Sequence, residues 1–209
     1  MTALTTLPYD LRLVQGKTFT VSFRWAAPPY IYAAITAIAQ TAPLRLTVPT
    51  HGMPDGWRFA VAGVGGMTSL NASADPPRQR DFFTGTVVDT NTIDVNDVNG
   101  TLLSAYTSGG HIQFYTPVDM AAMTARMMIR DKVGGTVLWE GTSDVGDIAI
   151  DTAKAQVVIT VDSVSTAALA DLRGVYDIEM VTDGGADPDV VNLLASGRVF
   201  VEREASHAD

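Results

Sequence analysis

The sequence predicts an all-β protein in which a β-sandwich is interrupted by a smaller inserted β unit. Three observations carry this. From Thr18 the side chains alternate, with Phe19, Val21, Phe23 and Trp25 on one face and Thr20, Ser22 and Arg24 on the other, the period-two signature of a half-buried strand. About a hundred residues later the same idiom resumes: residues 124–130 and 136–140 read as strands joined across Gly134-Gly135, because glycine takes positive φ without steric cost. The stretch between has a different texture, richer in Pro, Gly and Asn and carrying short strands of its own.

The outer elements follow in order. Ile148 and Ile150 share one face of a short strand, and Val157, Ile159 and Val161 share one face of the next. Residues 163–172 open on serine caps, continue with good helix formers and stop before Gly174, which predicts a short helix. The chain then alternates again, Tyr176, Ile178 and Met180 inward against Asp177 and Glu179 outward. A segment over 190–194 and a last strand over 197–202 precede a polar end. About seven strands with at most one short helix fit an immunoglobulin-like sandwich.

The inner elements follow the same logic. Residues 44–48 form a strand, 49–56 a turn cluster, 57–61 a second strand and 63–67 a further turn. Residues 83–89, 92–95 and 110–115 supply more strands, the first two joined at the Asp89-Thr90-Asn91 corner, so a small barrel or sandwich is expected. Residues 33–39 fit both alternation and an Ala-rich helix; extended structure is expected. The predicted organisation is therefore 1–27 with 118–204 as a split sandwich, 28–42 as a linker, 43–117 as the inserted domain and 205–209 as a polar tail.

Composition narrows the function. The 209 residues are 46% hydrophobic, enough for a core without covalent staples, and contain no cysteine, which excludes disulfides and thiolate metal sites. The formal net charge of -9 repels phosphate backbones, and no basic stripe interleaved with aromatics overrides it, so nucleic acid is not an expected partner. No apolar run is long enough for membrane insertion as a helix, and residues 1–8 lack a basic start followed by an apolar run, so no cleaved leader is expected.

Catalytic and metal constellations are equally sparse. His51, His111 and His207 lie far apart with no ligand spacing between them. Residues 94–100 have the alternating oxygens of a calcium loop, but Val98 stands where a third ligand belongs and the glycine comes late. Gly63-Val64-Gly65-Gly66 lacks dinucleotide spacing, and no Gly-x-Ser-x-Gly elbow is present. No cofactor, no metal and no enzymatic activity are expected. Trp25, Trp57 and Trp139 on alternating strands read as core or interface before glycan contact.

Two sets of motifs carry a family resemblance. The early Gln15-Gly16, the strand over 124–130, Gly174-Val175-Tyr176-Asp177-Ile178-Glu179 and the closing Leu193-Leu194-Ala195-Ser196-Gly197-Arg198-Val199 resemble the immunoglobulin-like domain of tailed-phage virion proteins, such as the N-terminal domain of upper baseplate proteins. Residues 50–57, Gly63 to Met67 with Leu70-Asn71, Asp89 to Ile93 and Ala105 to Gly110 resemble the first catalytic-cysteine half-domain of ubiquitin-activating enzymes, which recurs in phage tail proteins as a non-catalytic insert. The resemblance implies a structural subunit of a phage tail, baseplate or fibre attachment site. Such a subunit is made in the host cytoplasm, resides in the virion, and contacts other virion proteins and copies of itself in a symmetric assembly. Fibre-root proteins often continue into a coiled or fibrous segment, whereas this sequence stops at Asp209, so a standalone connector or decorating subunit is expected rather than a complete fibre. Expected interface residues are Met1, Thr2, Leu4, Leu7, Ala205 and His207, termini that order on contact. A host-receptor or glycan-binding module is the alternative, with Trp57, Arg78, Arg80 and Tyr106 in its recognition loops.

Overall fold

The computed structural model describes residues 8–169, 171–183, 185 and 188–203. Among them fifteen strands and one α-helix follow in chain order. The first nine strands are β1 (Leu11–Val14), β2 (Phe19–Arg24), β3 (Ala26–Ala34), β4 (Ala37–Ala39), β5 (Leu44–Thr47), β6 (Arg58–Ala62), β7 (Phe82–Asp89), β8 (Thr92–Val95) and β9 (His111–Pro117). There follow β10 (Met123–Arg130), β11 (Val137–Thr142), β12 (Ile148–Asp151), β13 (Gln156–Val161), α1 (Ser163–Ala168), β14 (Arg173–Thr182) and β15 (Val190–Glu202). The chain divides into two compact units, Met1–Trp25 with Asp119–Asp209, and Ala26–Val118.

The first unit is built from a five-stranded sheet in the order β1-β15-β14-β10-β11 and a three-stranded sheet in the order β12-β13-β2. The strand-like run of residues 9–25 is broken at Gln15 to Lys17, where Gly16 takes φ +72°. That turn sends β1 into a parallel pairing with β15, Leu11 opposite Val199, and β2 into an antiparallel pairing with β13, Val21 opposite Ile159. β2 alternates half-buried with exposed residues along its length, as its sequence dictates. Leu11, Leu13, Met127, Ile129, Val157, Ile159, Ile178, Met180 and Val199 are each at most 1% exposed and make the core. Residues 190–202 form one strand rather than two segments, since a bulge at Leu194 absorbs one residue and keeps the pairing with β14 continuous. α1 ends earlier than expected, and its cap is Asp162, whose carboxylate accepts from the Val164 and Ser165 amides.

The second unit is one seven-strand order, β3-β9-β6-β7-β8-β5-β4. Here the expected linker over 28–42 is replaced by structure: β3 pairs with β9 and β4 pairs with β5. The cause is side-chain alternation, Ile31 and Ala33 turned from Tyr30 and Tyr32, which outweighs the breaks that Pro28 and Pro29 suggest. Between the two strands Ile35 donates to the Gly110 carbonyl and Thr36 to that of Thr47. One continuous segment thus holds both ends of the strand order, and the sheet closes into a barrel. Its interior holds Leu44, Leu46, Phe59, Val61, Ile93, Val95, Ile112 and Phe114, none measurably exposed. Gly85 lies in that wall because a Cβ there would come within 2.8 Å of both Ile93 and Phe59. The chain enters this unit on β3 and leaves it on β9, adjacent strands with Ala26 opposite Pro117.

Candidate functional site

The candidate recognition residues separate. Trp57 ends the turn segment just before β6 but is not presented for recognition: it is 3% exposed, and its indole Nε1–H donates to the Tyr115 carbonyl at 3.1 Å, because a side chain so large and apolar serves the barrel core. Arg78 and Arg80 are exposed around the 3-10 turn Gln79–Asp81. Tyr106 is half-buried, its hydroxyl donating to the Gly109 carbonyl at 3.0 Å and reaching that of Ile35 at 3.4 Å. Met1, Thr2, Leu4, Leu7, Ala205 and His207 lie outside the described residues. Trp25 is buried and Trp139 half-buried in the sandwich.

His51 is a brace. The Met53 amide donates to its Nδ1 at 3.0 Å, so Nδ1 is an acceptor, and Nε2 carries the proton that it gives to the Asp89 carbonyl at 3.0 Å. The calcium-like loop uses its oxygens on the chain itself. Asp94 takes a bidentate contact from Arg45 at 2.7 and 2.9 Å, Asn96 accepts from the Thr86 hydroxyl, and Asn99 accepts from Thr101. That fork holds the Asp94 carboxyl below its usual range.

The residues that the structure does gather lie on the outer face of the barrel. On β3, Tyr30 and Tyr32 point outward; on β9, so do His111, Gln113 and Tyr115, with Tyr30 opposite Tyr115 and Tyr32 opposite Gln113. β6 continues the rows with Ala60 opposite Gln113 and Ala62 opposite His111, and Phe82 on β7 lies opposite Ala60. The Tyr30 and Tyr115 ring centroids are 4.3 Å apart, and Phe82 is parallel to Tyr115 within 3° at 6.4 Å. The Tyr32 ring meets His111 edge-on at 5.4 Å, while the Arg58 guanidinium covers Phe82 at 5.5 Å. Burial, with the Tyr115 hydroxyl alongside, pushes the Tyr30 hydroxyl above its ordinary range.

Where β6 carries alanines instead of rings, a cleft of about 440 Å³ opens, lined by Tyr32, Ala62, His111 and Gln113 together with 72–75. The far wall is fixed by the turns around it. Ala72 donates to the Val61 carbonyl, Asn71 exchanges two hydrogen bonds with the Val64 backbone, and the Ser73 hydroxyl donates to Asp81 at 2.9 Å. Alternation in β9 locates Gln113 and Tyr115, but the pairing with Tyr32 depends on a strand that the sequence disguises as a linker.

The sandwich offers a different surface. β11 ends the five-stranded order, and Val137 and Leu138 on it are 38% and 42% exposed, beside Val133 at 87%. On β15, Val190 and Val191 are each 47% exposed and Leu193 41%. A second cleft of about 320 Å³ on this unit is lined by Met128, Arg130, Val133, Val175, Asp177 and Leu193 among others. No family model and no curated protein matches the chain.

Proposed function

We propose that the chain is a structural subunit of a tailed-phage virion, in the tail, baseplate or fibre attachment region, working by protein–protein assembly. The observation that carries this is the run of exposed aliphatic side chains at one free sheet edge of the sandwich and along β15: Val133, Val137, Leu138, Val190, Val191 and Leu193. Exposed aliphatic side chains on an edge strand cost solubility unless a neighbour covers them, and the edge itself adds open backbone donors and acceptors for that neighbour. Strand order supports the immunoglobulin-like reading. Lettered in that scheme, β12-β13-β2 is D-E-B, and β15-β14-β10-β11 is G-F-C-C′. The motif resemblance to phage virion domains supports the location, and the partners are other virion proteins and copies of the chain in a closed symmetric arrangement.

The test is to locate the tagged chain in intact particles and to assemble particles without it. Incomplete particles, and loss of incorporation for Val137→Asp together with Leu138→Asp in a subunit that still folds, are expected. Complete particles lacking the chain would overturn the proposal.

A further inference from the structure

The barrel face carries a second, independent surface. A small-molecule site needs a concave, largely apolar wall with a few convergent polar groups, and typically a volume of roughly 300–1,000 Å³. The cleft between β3, β9, β6 and the 72–75 wall meets this at about 440 Å³. Its flat side is Tyr32, 59% exposed although it stands mid-strand on a packed barrel. Its floor is made by the small Ala62 and by Gln113.

Gln113 is the informative residue. It is 3% exposed, yet its side-chain amide has no hydrogen bond within the described residues, and no polar side-chain atom among them is sealed away without a partner. The amide therefore opens into the cleft, offering both donors and an acceptor to whatever occupies it. A position this enclosed is more often filled by an apolar side chain, so an amide that faces the cleft with no partner of its own is free to bond an occupant. His111 and Ser73 add further groups able to donate and accept, and Asp75 adds acceptors.

The lining selects the chemistry. Asp75 is the only charged lining residue, and the whole chain is acidic, so phosphates and other anions are repelled. A pyranose ring pairs a C–H-rich face, suited to a flat aromatic side chain, with a rim of hydroxyls, each of which donates and accepts. Tyr32 supplies the first, and Gln113, His111, Ser73 and Asp75 supply the second.

We propose that this cleft binds a neutral hexose unit of a glycan, stacked on Tyr32 and hydrogen-bonded by Gln113. The site lies on the barrel and stands or falls separately from the assembly surface of the sandwich.

The test is amide NMR of the full chain titrated with methyl α-D-glucopyranoside, methyl β-D-galactopyranoside and chitotriose, with tetramethylammonium chloride as the cationic control. A saturable shift at Tyr32, Ala62, His111, Gln113 and Ala74 is expected for at least one saccharide, with Kd of the order of 1 mM. Tyr32→Ala should weaken it at least tenfold, which is about 1.4 kcal/mol. Gln113→Leu should weaken it likewise while leaving the melting temperature unchanged, because the amide bonds nothing within the described residues; a merely structural glutamine would lower it. No shift with any saccharide up to about 50 mM, shifts that survive both substitutions, or shifts with tetramethylammonium alone would overturn the proposal.

Discussion

Excising the inserted unit is the most direct test of the nested architecture. Ala26 and Pro117 are register partners on β3 and β9, which places their Cα atoms about 5 Å apart. A Gly/Ser bridge of about four residues, reaching some 13 Å, therefore suffices to join Trp25 to Asp119. Each piece keeps its own strand orders and its own buried side chains. At about 0.7 kcal/mol per residue near 60 °C, the excised barrel of roughly ninety residues should absorb about 65 kcal/mol on melting. The bridged sandwich of roughly 115 residues should absorb about 80 kcal/mol, each in one transition with matching calorimetric and van't Hoff enthalpies. Scanning calorimetry with near-UV circular dichroism measures both. A sandwich that binds hydrophobic dye and lacks a cooperative transition at every bridge length would refute the reasoning, as would a barrel over Ala26–Val118 that never folds.

Four further outcomes are expected. Gly85→Ala drives a methyl against Ile93, Phe59 and Met53 at 2.8 to 2.9 Å, so the barrel should lose about 1–3 kcal/mol and melt several degrees lower, read by thermal denaturation. Tyr176→Phe removes the hydroxyl that donates to the Tyr9 carbonyl at 2.6 Å and should cost the sandwich about 1–2 kcal/mol; an unchanged melting temperature refutes the role. The carboxyls of Asp89, Asp94 and Asp162 are held low by the Asn91 amide, the Arg45 guanidinium and the Ser165 hydroxyl respectively. The unfolded chain binds protons to them first, so the melting temperature should hold above the unfolded value of about 3.9 and fall as acid drives pH through the lower folded values. Chelator should leave the melting temperature unchanged, and a fall reversed by calcium would show that the 94–100 loop has oxygens to spare.

Much of the fold was legible because buried strands write their period into the sequence. Phe19 to Trp25, Val157 to Val161 and Tyr176 to Met180 each alternate cleanly, and β2, β13 and β14 follow. Where competing signals overlap, reading fails. Two prolines and six alanines from Ala26 to Ala39 mask β3 and β4, whose extended form is fixed by partners distant in sequence. The turn at Gly16 is flanked by strand-forming residues on both sides, and only the pairing partners reveal that the chain changes sheets there. The candidate site was the least legible. Trp57 drew attention as a large aromatic beside turn residues but is needed inside, whereas Tyr32 and Gln113 are unremarkable until the register sets them opposite each other.

The parallel pairing of β1 with β15 has a mechanical consequence. Leu11 to Val14 run alongside Val199 to Glu202 in the same direction, flanked by hydrogen bonds from Tyr9 to Ser196 and from Gln15 to Glu202. Tension applied between a point before Leu11 and a point after Glu202 pulls these two strands lengthwise past each other. Every bond of the patch is then loaded together, as in a lap joint, instead of parting one after another like a zip. The same short strand that begins the sandwich is thereby its anchor under load, and a proline at Arg12 or Leu13 would weaken the pull needed to open it far more than it lowers resistance to heat.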